Sequence, residues 1–431
     1  MKNRICLLLL LLFVICDKRE LCAFHSTSRY FPFLELPSDY VTNKKTSVMP
    51  TFFFATASTA NRRAAGHGGV AELWGAYDLK DVIASLQAVN PSADPIMEVT
   101  GSNDYANKSM IFKVAGKIDA VGVALQHDHV LGKGFSLGFW IPVMNVRSSN
   151  RFTFHPHDSD NFFKFTMDEA LRHTQSLTVD HIRRVTHQSI GFKGNEYSQT
   201  GFGDLDLHAR YSKAFDHVLM MKGIDLNVQV GVTVPTGIPY QRGRGYPSSV
   251  PAMGDGHWSL YGDIVSEFEL KQDWKCGLML GVADQFSAVQ FKRISVGNEP
   301  TIFSAMEGEV KIKPGITFKV SPYFTLENIQ DGLHLQGCYT YRHHSKDEWT
   351  RMWTIPRGIP CYLDDSSLKE RKEYLSKWSS HYFTLQLTYD CRAASKNLPL
   401  NPIFYAACDF PINGDGLCNT TEAVVGAKLH F

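Results

Sequence analysis

The sequence predicts an all-β fold: a transmembrane, antiparallel up-and-down β-barrel of about twelve strands, with short helices in its long outer loops. Three observations lead there. Apolar and polar residues alternate strictly in one stretch after another, the connections between those stretches alternate long and short, and a secretory-type leader is followed by no apolar run of helix-spanning length.

The leader comes first along the chain. Lys2 and Arg4 precede an apolar run from Ile5 to Cys16, and Ala23 offers a small residue for cleavage. The run is too short for a membrane helix, which needs roughly 20 residues. Residues 1–23 are therefore expected to be a signal peptide, and residues 24–431 one barrel domain with large loops at 57–108, 148–202 and 343–380.

The 431 residues carry 44 Lys+Arg against 43 Asp+Glu, which removes the electrostatic case for a nucleic-acid partner or a polybasic membrane patch. Six of nine cysteines lie beyond the leader, at 276, 338, 361, 391, 408 and 418, with no C-x-x-C pair to suggest structural zinc. Cys418 is placed to bridge to Cys408 or to Cys361, or all three remain thiols.

The clearest alternation is IDLNVQVGVTV at 224–234, with Ile224, Leu226, Val228, Val230, Val232 and Val234 on one face and Asp225, Asn227, Gln229, Gly231 and Thr233 on the other. EVKIKPGITFKV (309–320), FTLQLTYD (383–390), GDLDLHARY (203–211) and WSLYGDIVSEFEL (258–270) follow the same rule. Such strands fit a soluble sandwich with an apolar core, or a membrane barrel whose apolar faces meet lipid around a polar interior.

The connections favour the barrel. Strands are expected near 48–56, 109–130, 135–147, 203–213, 223–236, 257–271, 276–291, 305–320, 323–342, 381–391, 401–412 and 421–431. Long connections follow every odd strand. Tight turns follow the even ones, at LGKG (131–134), after Lys213, at QDWK (272–275), at Ser321-Pro322 and after Arg392. The hydrophobic phase changes near QDG at 330–332 in the ninth of these strands, as at a bulge or kink. A transmembrane barrel sorts short turns to the periplasm and long loops outside, whereas a sandwich has no reason to.

Helical patterns fall inside the long loops. Asp78 is an N-cap candidate before Leu79, Val82, Ile83 and Leu86; 167–184 is a second segment; Ser367 with Glu370 makes a capping box before Tyr374, Leu375 and Trp378. Each is expected to pack on the rim, with a plug in the lumen as the sharper alternative for 78–89.

Two motifs carry a resemblance. The alternating end VVGAKLHF, with Leu429 and Phe431, resembles the C-terminal signal that the barrel-assembly machinery recognises in outer-membrane proteins. GFGDLDLHARY (201–211) followed by VGVTVPTG (230–237) resembles the outer-membrane family named after the meta-pathway of phenol degradation. That resemblance implies transport of hydrophobic or aromatic compounds. In it Gly201 and Gly203 would lead the chain from loop to barrel, Asp204 would bond loop backbone, and Pro235 and Gly237 would end the partner strand.

If the polar faces line a lumen, the lining includes Asp206, His208, Arg210, Asp225, Asp263, Glu267, Glu269, Lys311, Lys313, Lys319 and Arg342, with both signs on adjacent strands. Apolar faces stay in register across 205–211 and 224–234 only when paired residue numbers add to an odd total, which makes Arg210 opposite Asp225 a natural pair. Histidines cluster at 127/129, 155/157 and 343/344, but no spacing brings three ligands together, so no metal ligand and no cofactor are expected. No nucleophile motif stands out, so an enzyme is not expected. The expectation is a passive outer-membrane channel for small solutes, with a closed adhesin-like barrel as the alternative. Outer-membrane lipid and the assembly machinery would be its partners, and the first and last strands must pair to leave no edge in lipid.

Overall fold

The computed structural model describes residues 46–63, 66–73, 75–101, 105, 108–154, 169–192, 194–216, 221–237, 254–295, 300–352, 373–391 and 402–431, with the side chains of 169–175 excepted. The signal segment, the Ser367–Glu370 capping box, Cys361, His155 and His157 lie outside them.

Twelve antiparallel strands among these residues form the barrel wall: β1 (Thr46–Arg62), β2 (Ile111–Gly132), β3 (Phe135–Phe154), β4 (Leu205–Asp216), β5 (Gly223–Val234), β6 (Ser259–Lys271), β7 (Trp274–Gln285), β8 (Thr317–Gln330), β9 (Leu333–His344), β10 (Trp378–Asp390), β11 (Ile403–Asp415) and β12 (Leu417–His430). Each pairs with its sequence neighbour. Closure comes from β1, which pairs with β2 on one side and β12 on the other: Val48 faces Leu429, Phe52 faces Val425 and Phe54 faces Ala423. The Phe431 amide donates to the Thr46 carbonyl at 2.9 Å. No edge is left unpaired, the condition hydrocarbon imposes on a sheet.

The alternation resolves as an inside-out arrangement. Phe52, Val123, Leu137, Leu207, Val230, Ile264, Val282 and Phe383 point outward and are exposed, while the residues between them point inward and are mostly buried. An exposed apolar band this continuous has no place in water. Aromatic residues mark both edges of it, with Phe135, Trp274, Phe324 and Phe404 near the short turns and Phe202, Trp258 and Phe286 near the long connections. Trp274 and Phe286 bracket β7, and at a rise of about 3.3 Å per residue and a tilt near 40° their separation along the barrel axis is about 30 Å, a hydrocarbon thickness. The barrel therefore spans a membrane, with the loop sorting of bacterial outer-membrane barrels.

The turns at Gly132–Gly134, Gln272–Asp273 and Asp331–Gly332 are tight, and Lys133 and Asp273 adopt positive φ within them. Three expectations need correction. First, 305–320 is not one wall strand: Glu307–Lys313 pairs with Ala288–Arg293 and Glu348–Arg351 in a separate three-stranded sheet. Pro314-Gly315 breaks the run, and the wall strand begins at Thr317. Second, the chain passes straight through Ser321-Pro322 and turns at Asp331-Gly332, where the sequence phase changes; Pro322 faces Leu278 in the ladder. Third, the connection after the eleventh strand is a tight hairpin turning at Gly416 (φ 71°) rather than the long one expected after every odd strand. Cys408 faces Ala423 and Cys418 faces Ala60, too far apart along the ladder to bridge.

The β2–β3 hairpin rises past the rest of the wall and carries three helices, α1 (Leu79–Val89), α2 (Pro95–Thr100) and α3 (Glu169–Ser189). Asp78 caps α1, accepting from the Lys80 amide at 3.0 Å, and also from the Met110 amide at 2.9 Å, which ties the helix start to the hairpin.

Candidate functional site

The inner wall has two sectors. On β4–β6 it is polar and hydrogen-bonded. Both ring nitrogens of buried His208 face carboxylates, Nε2 at 2.9 Å from Asp128 Oδ1 and Nδ1 at 3.0 Å from Asp206 Oδ1. Tyr261 donates to Asp206 at 2.8 Å, and Gln229 Nε2 donates to the Tyr261 hydroxyl at 3.0 Å. Arg210 donates from Nε and Nη2 to Gln229 Oε1 at 3.0 and 2.8 Å, and its Nη1 lies 3.6 Å from Asp128. One connected network thus crosses from β2 to β6.

Arg210 faces Gln229, and Asp225 faces Ala214, so the expected Arg210–Asp225 pairing is not made. The paired numbers do add to an odd total. The strands run on to Asp216 and Gly223, which moves the register by four residues.

Further round the wall, Lys319 pairs with Asp263 at 3.0 Å, both side chains buried. Near the short turns Lys275 bridges Glu267 (3.1 Å) and Glu327 (2.9 Å), and Tyr323 donates to Glu267 at 3.0 Å. Glu269 lies at the same end, opposite Lys275 and Gly223. Buried Arg342 faces Ser380 and neighbours Lys319 across the ladder. Inward tyrosine rings lie flat on directly paired glycines, Tyr261 on Gly231 and Tyr405 on Gly426, where any Cβ would overlap the ring. That contact explains those glycines within strands.

On β1–β3 the inner wall is apolar instead. Phe53, Ala55, Ala57, Ala60, Ile118, Ala120, Ala124, Met144 and Val146 form a buried stripe there. Segment 66–73 folds back onto it: Gly66–Gly69 pairs with Thr59–Arg62, and Val70 and Leu73 join the stripe. Glu72 holds the segment in place by accepting from the Gly69 amide at 3.1 Å and the Val114 amide at 3.4 Å, with Arg62 at 3.9 Å.

The stripe continues upward into the cap. Phe112 and Val114, on the same inward face of β2 as Ile118, are buried with Leu79, Val82, Ile83 and Leu86 of α1, Val179 and Ile182 of α3, and Phe303. The helices therefore cover the inward face of the hairpin, not its outer side. At the centre of this core the Tyr77 hydroxyl and His187 Nε2 meet at 2.6 Å, ringed by Phe112, Phe152, Phe192 and Phe303. Burial, with the Arg183 guanidinium adding to it, pushes the His187 imidazole down to about 3, so it is neutral at any physiological pH. Burial pushes the Tyr77 phenol well above its usual value. Arg183 stacks on Phe152 at 4.4 Å while binding Asp180 at 2.8 Å. Arg293 ties α3's end to the outer sheet, donating to the Ile190 and Ser304 carbonyls and pairing with Glu307 at 2.9 Å.

The mid-chain motif residues meet at the outer rim, beyond the end of β4. The Gly237 amide donates to Asp204 Oδ1 at 2.9 Å, and the Thr236 hydroxyl donates to the Gly203 carbonyl at 2.8 Å. Gly203 donates to the Pro142 carbonyl at 3.0 Å, Gly201 faces Met144, and Pro235 directly follows the last residue of β5. Burial first, then the neighbouring Asp255 carboxylate, pushes the Asp204 carboxyl up to about 7. At the other end, Leu429 faces Val48 and Phe431 is exposed.

Lys311 and Lys313 do not line the lumen. They sit on the outer three-stranded sheet, where Lys313 reaches Glu348 at 3.7 Å with both side chains largely exposed. Alternation alone cannot distinguish a wall strand from a strand in a loop sheet. Asp128, Asp409 and Glu422 are buried inner-wall carboxylates that the charge inventory missed. Strand phase was the available signal, since Asp128 shares the parity of Ala120 and Ala124, and Glu422 that of Gly426. Among the described residues no group of three or more His, Cys, Asp or Glu side chains is placed to hold a metal.

No protein-family model matches the chain, and neither does any curated protein. Solved structures do resemble it. An outer membrane channel from Pseudomonas putida F1 is 10% identical, with 92% of this chain and 100% of that one covered at a TM-score of 0.49. The transport unit of the autotransporter AIDA-I from Escherichia coli is 7% identical, with 92% and 94% covered at 0.36. A FadL homologue from Pseudomonas aeruginosa is 9% identical, with 91% of each chain covered at 0.32.

Proposed function

We propose that the barrel is a passive outer-membrane channel for small solutes, hydrophobic or aromatic compounds among them. The carrying observation is the two-sided inner wall. A continuous apolar stripe runs from the cap core down β1–β3, beside a hydrogen-bonded polar sector on β4–β6. Segment 66–73 and the cap cover the stripe at rest, so a solute with an apolar body and a polar handle that displaces them gains contacts with both sectors. Asp206, His208, Arg210, Asp225, Glu267, Glu269, Lys319 and Arg342 form the polar side. The mixed charge of that side favours neutral solutes over ions of either sign.

Transport, rather than catalysis, is what this lining supports, because both nitrogens of buried His208 are engaged by carboxylates. Leu429 and Phe431 are proposed as the assembly contact, so Phe431→Ala should lower the yield of folded barrel in the membrane without changing flux per folded molecule. The function itself is tested in liposomes. Purified protein should admit a small neutral aromatic solute faster than protein-free vesicles do, and absence of both flux and conductance would sink the proposal.

The cap supports a second reading, a closed barrel that presents a folded outer surface for attachment. It has an apolar core of its own around Tyr77 and His187. Replacing 75–110 by a short turn should then abolish surface attachment; a variant that attaches normally and conducts better speaks for transport.

A further inference from the structure

We propose that Asp409, Glu422 and Tyr382 form a site for one small alkali cation in the inner wall of the barrel. Asp409 and Glu422 face each other directly across β11 and β12, within hydrogen-bonding reach. Glu422 is entirely buried and Asp409 is 2% exposed. Thr384 donates to the Asp409 carboxylate, but Asp409 Oδ1 and both Glu422 oxygens have no donor. Two acceptor-only groups in contact and out of water require a positive charge between them.

The third group comes from a different strand. Tyr382, on the inner face of β10, is 1% exposed, and its hydroxyl has no well-aligned partner although it lies against the Thr420 backbone. It is within electrostatic reach of both carboxylates, Glu422 foremost. A single bridging proton would satisfy Asp409 Oδ1 and one Glu422 oxygen and leave the other Glu422 oxygen without a partner. A cation between the carboxylates would serve that oxygen too, with the Tyr382 hydroxyl, held against the Thr420 backbone, as a further oxygen within electrostatic reach.

The donor set also fixes the class of ion. Oxygen alone suits a hard cation, and three side chains offer fewer oxygens than the six to eight that calcium takes. Arg342 faces the pair from β9 and matches at most one of the two carboxylates, so a single added charge restores balance. On its far side Glu422 faces Ala55, the edge of the apolar stripe, which offers no competing donor. The ion would sit one strand from the seam where β12 closes on β1.

The test uses the full-length protein refolded in detergent. Its thermal unfolding is followed by heat-modified gel mobility and circular dichroism in sodium, potassium, lithium or choline chloride at equal ionic strength. The proposal expects at least one alkali ion to raise Tm above choline by about 3 °C or more, saturably, and Glu422→Gln to abolish that difference. Asp409→Asn serves the same purpose if the first variant does not assemble. Equal Tm in all four salts would overturn the proposal, as would an ion effect that survives in both variants. A wild-type Tm that responds to acid but not to the alkali ion would assign the missing charge to a proton instead.

Discussion

The inner wall of β1–β3 and that of β4–β9 belong to one closed sheet, yet they are stabilised by opposite means. The first is built from apolar side chains, alanines among larger ones such as Phe53 and Met144, and owes its burial to a segment and a cap folded onto it. The second is built from charges that bury one another, as Asp263 with Lys319 and His208 with Asp206, the His208 ring reaching across to Asp128 of β2. In a soluble protein such a division would separate core from surface. Here both are interior, because the apolar faces that would make a soluble core are turned to lipid. Damage should therefore differ by sector: a lost charge partner should be severe on one side, and a lost contact graded on the other.

The largest effect is expected in the polar sector. Lys319→Met leaves Asp263 buried opposite an uncharged side chain and should destabilise the barrel by about 3–5 kcal/mol, read from urea unfolding in lipid vesicles. Adding Asp263→Leu should restore most of that loss. If the double variant is no better than the single one, the pair is not the unit of stability and the sector is not self-contained.

The apolar sector should respond less. Phe53 lies over Gly122, its direct ladder partner, within the stripe. Phe53→Ala should cost about 3 kcal/mol through lost contacts and a cavity, and should loosen segment 66–73 toward protease. A loss well below that figure would mean that the stripe is already accessible and is not a packed bed.

The two sectors were not equally legible in the sequence. Alternation identified most of the wall strands and their inward faces, because period two is dictated by strand geometry whatever surrounds it, and the β1–β12 closure followed from the need to leave no edge in lipid. The α1 face, Leu79, Val82, Ile83 and Leu86, was legible for the same kind of reason. The apolar stripe was not, since Ala55, Ala120 and Ala124 carry no charge to flag them and read as weak positions on polar faces. Lys311 and Lys313 read as lumen because the period survives in any sheet. The Asp128–His208–Asp206 contact needed the register of β2 against β3 and of β3 against β4, and local pattern contains neither.

In the cap, Tyr77→Phe removes a buried partner of His187 and leaves its Nε2 unsatisfied among aromatic rings. The cost should be about 2 kcal/mol, confined to the cap. Hydrogen exchange of α1 and α3 should speed up while that of β4–β9 does not. If the wall strands follow, cap and barrel unfold as one unit and the cap cannot act as a separate gate.

The smallest effect is a response to pH that distinguishes cap from rim by sign. His187 titrates at about 3 in the folded cap and near 6.5 once exposed, so between those values the unfolded cap binds the proton and the folded one does not. Stability from His187 is thus full above about 6.5 and falls as pH drops, by about 1 kcal/mol at pH 5.5. Asp204 works the other way. Its folded value of about 7 lies above the ordinary carboxylate range, so the folded rim holds a proton that the unfolded chain releases. That contribution is full at low pH and is lost as pH rises through 7. Acidification from pH 8 to 5.5 should therefore loosen the cap and tighten the Asp204–Gly237 rim. Region-resolved hydrogen exchange at the two pH values would show the opposition, and His187→Phe should remove only the cap's half of it. A cap and rim that move in the same direction would mean that they share one opening transition, and the polar and apolar sectors would then be coupled through the mouth.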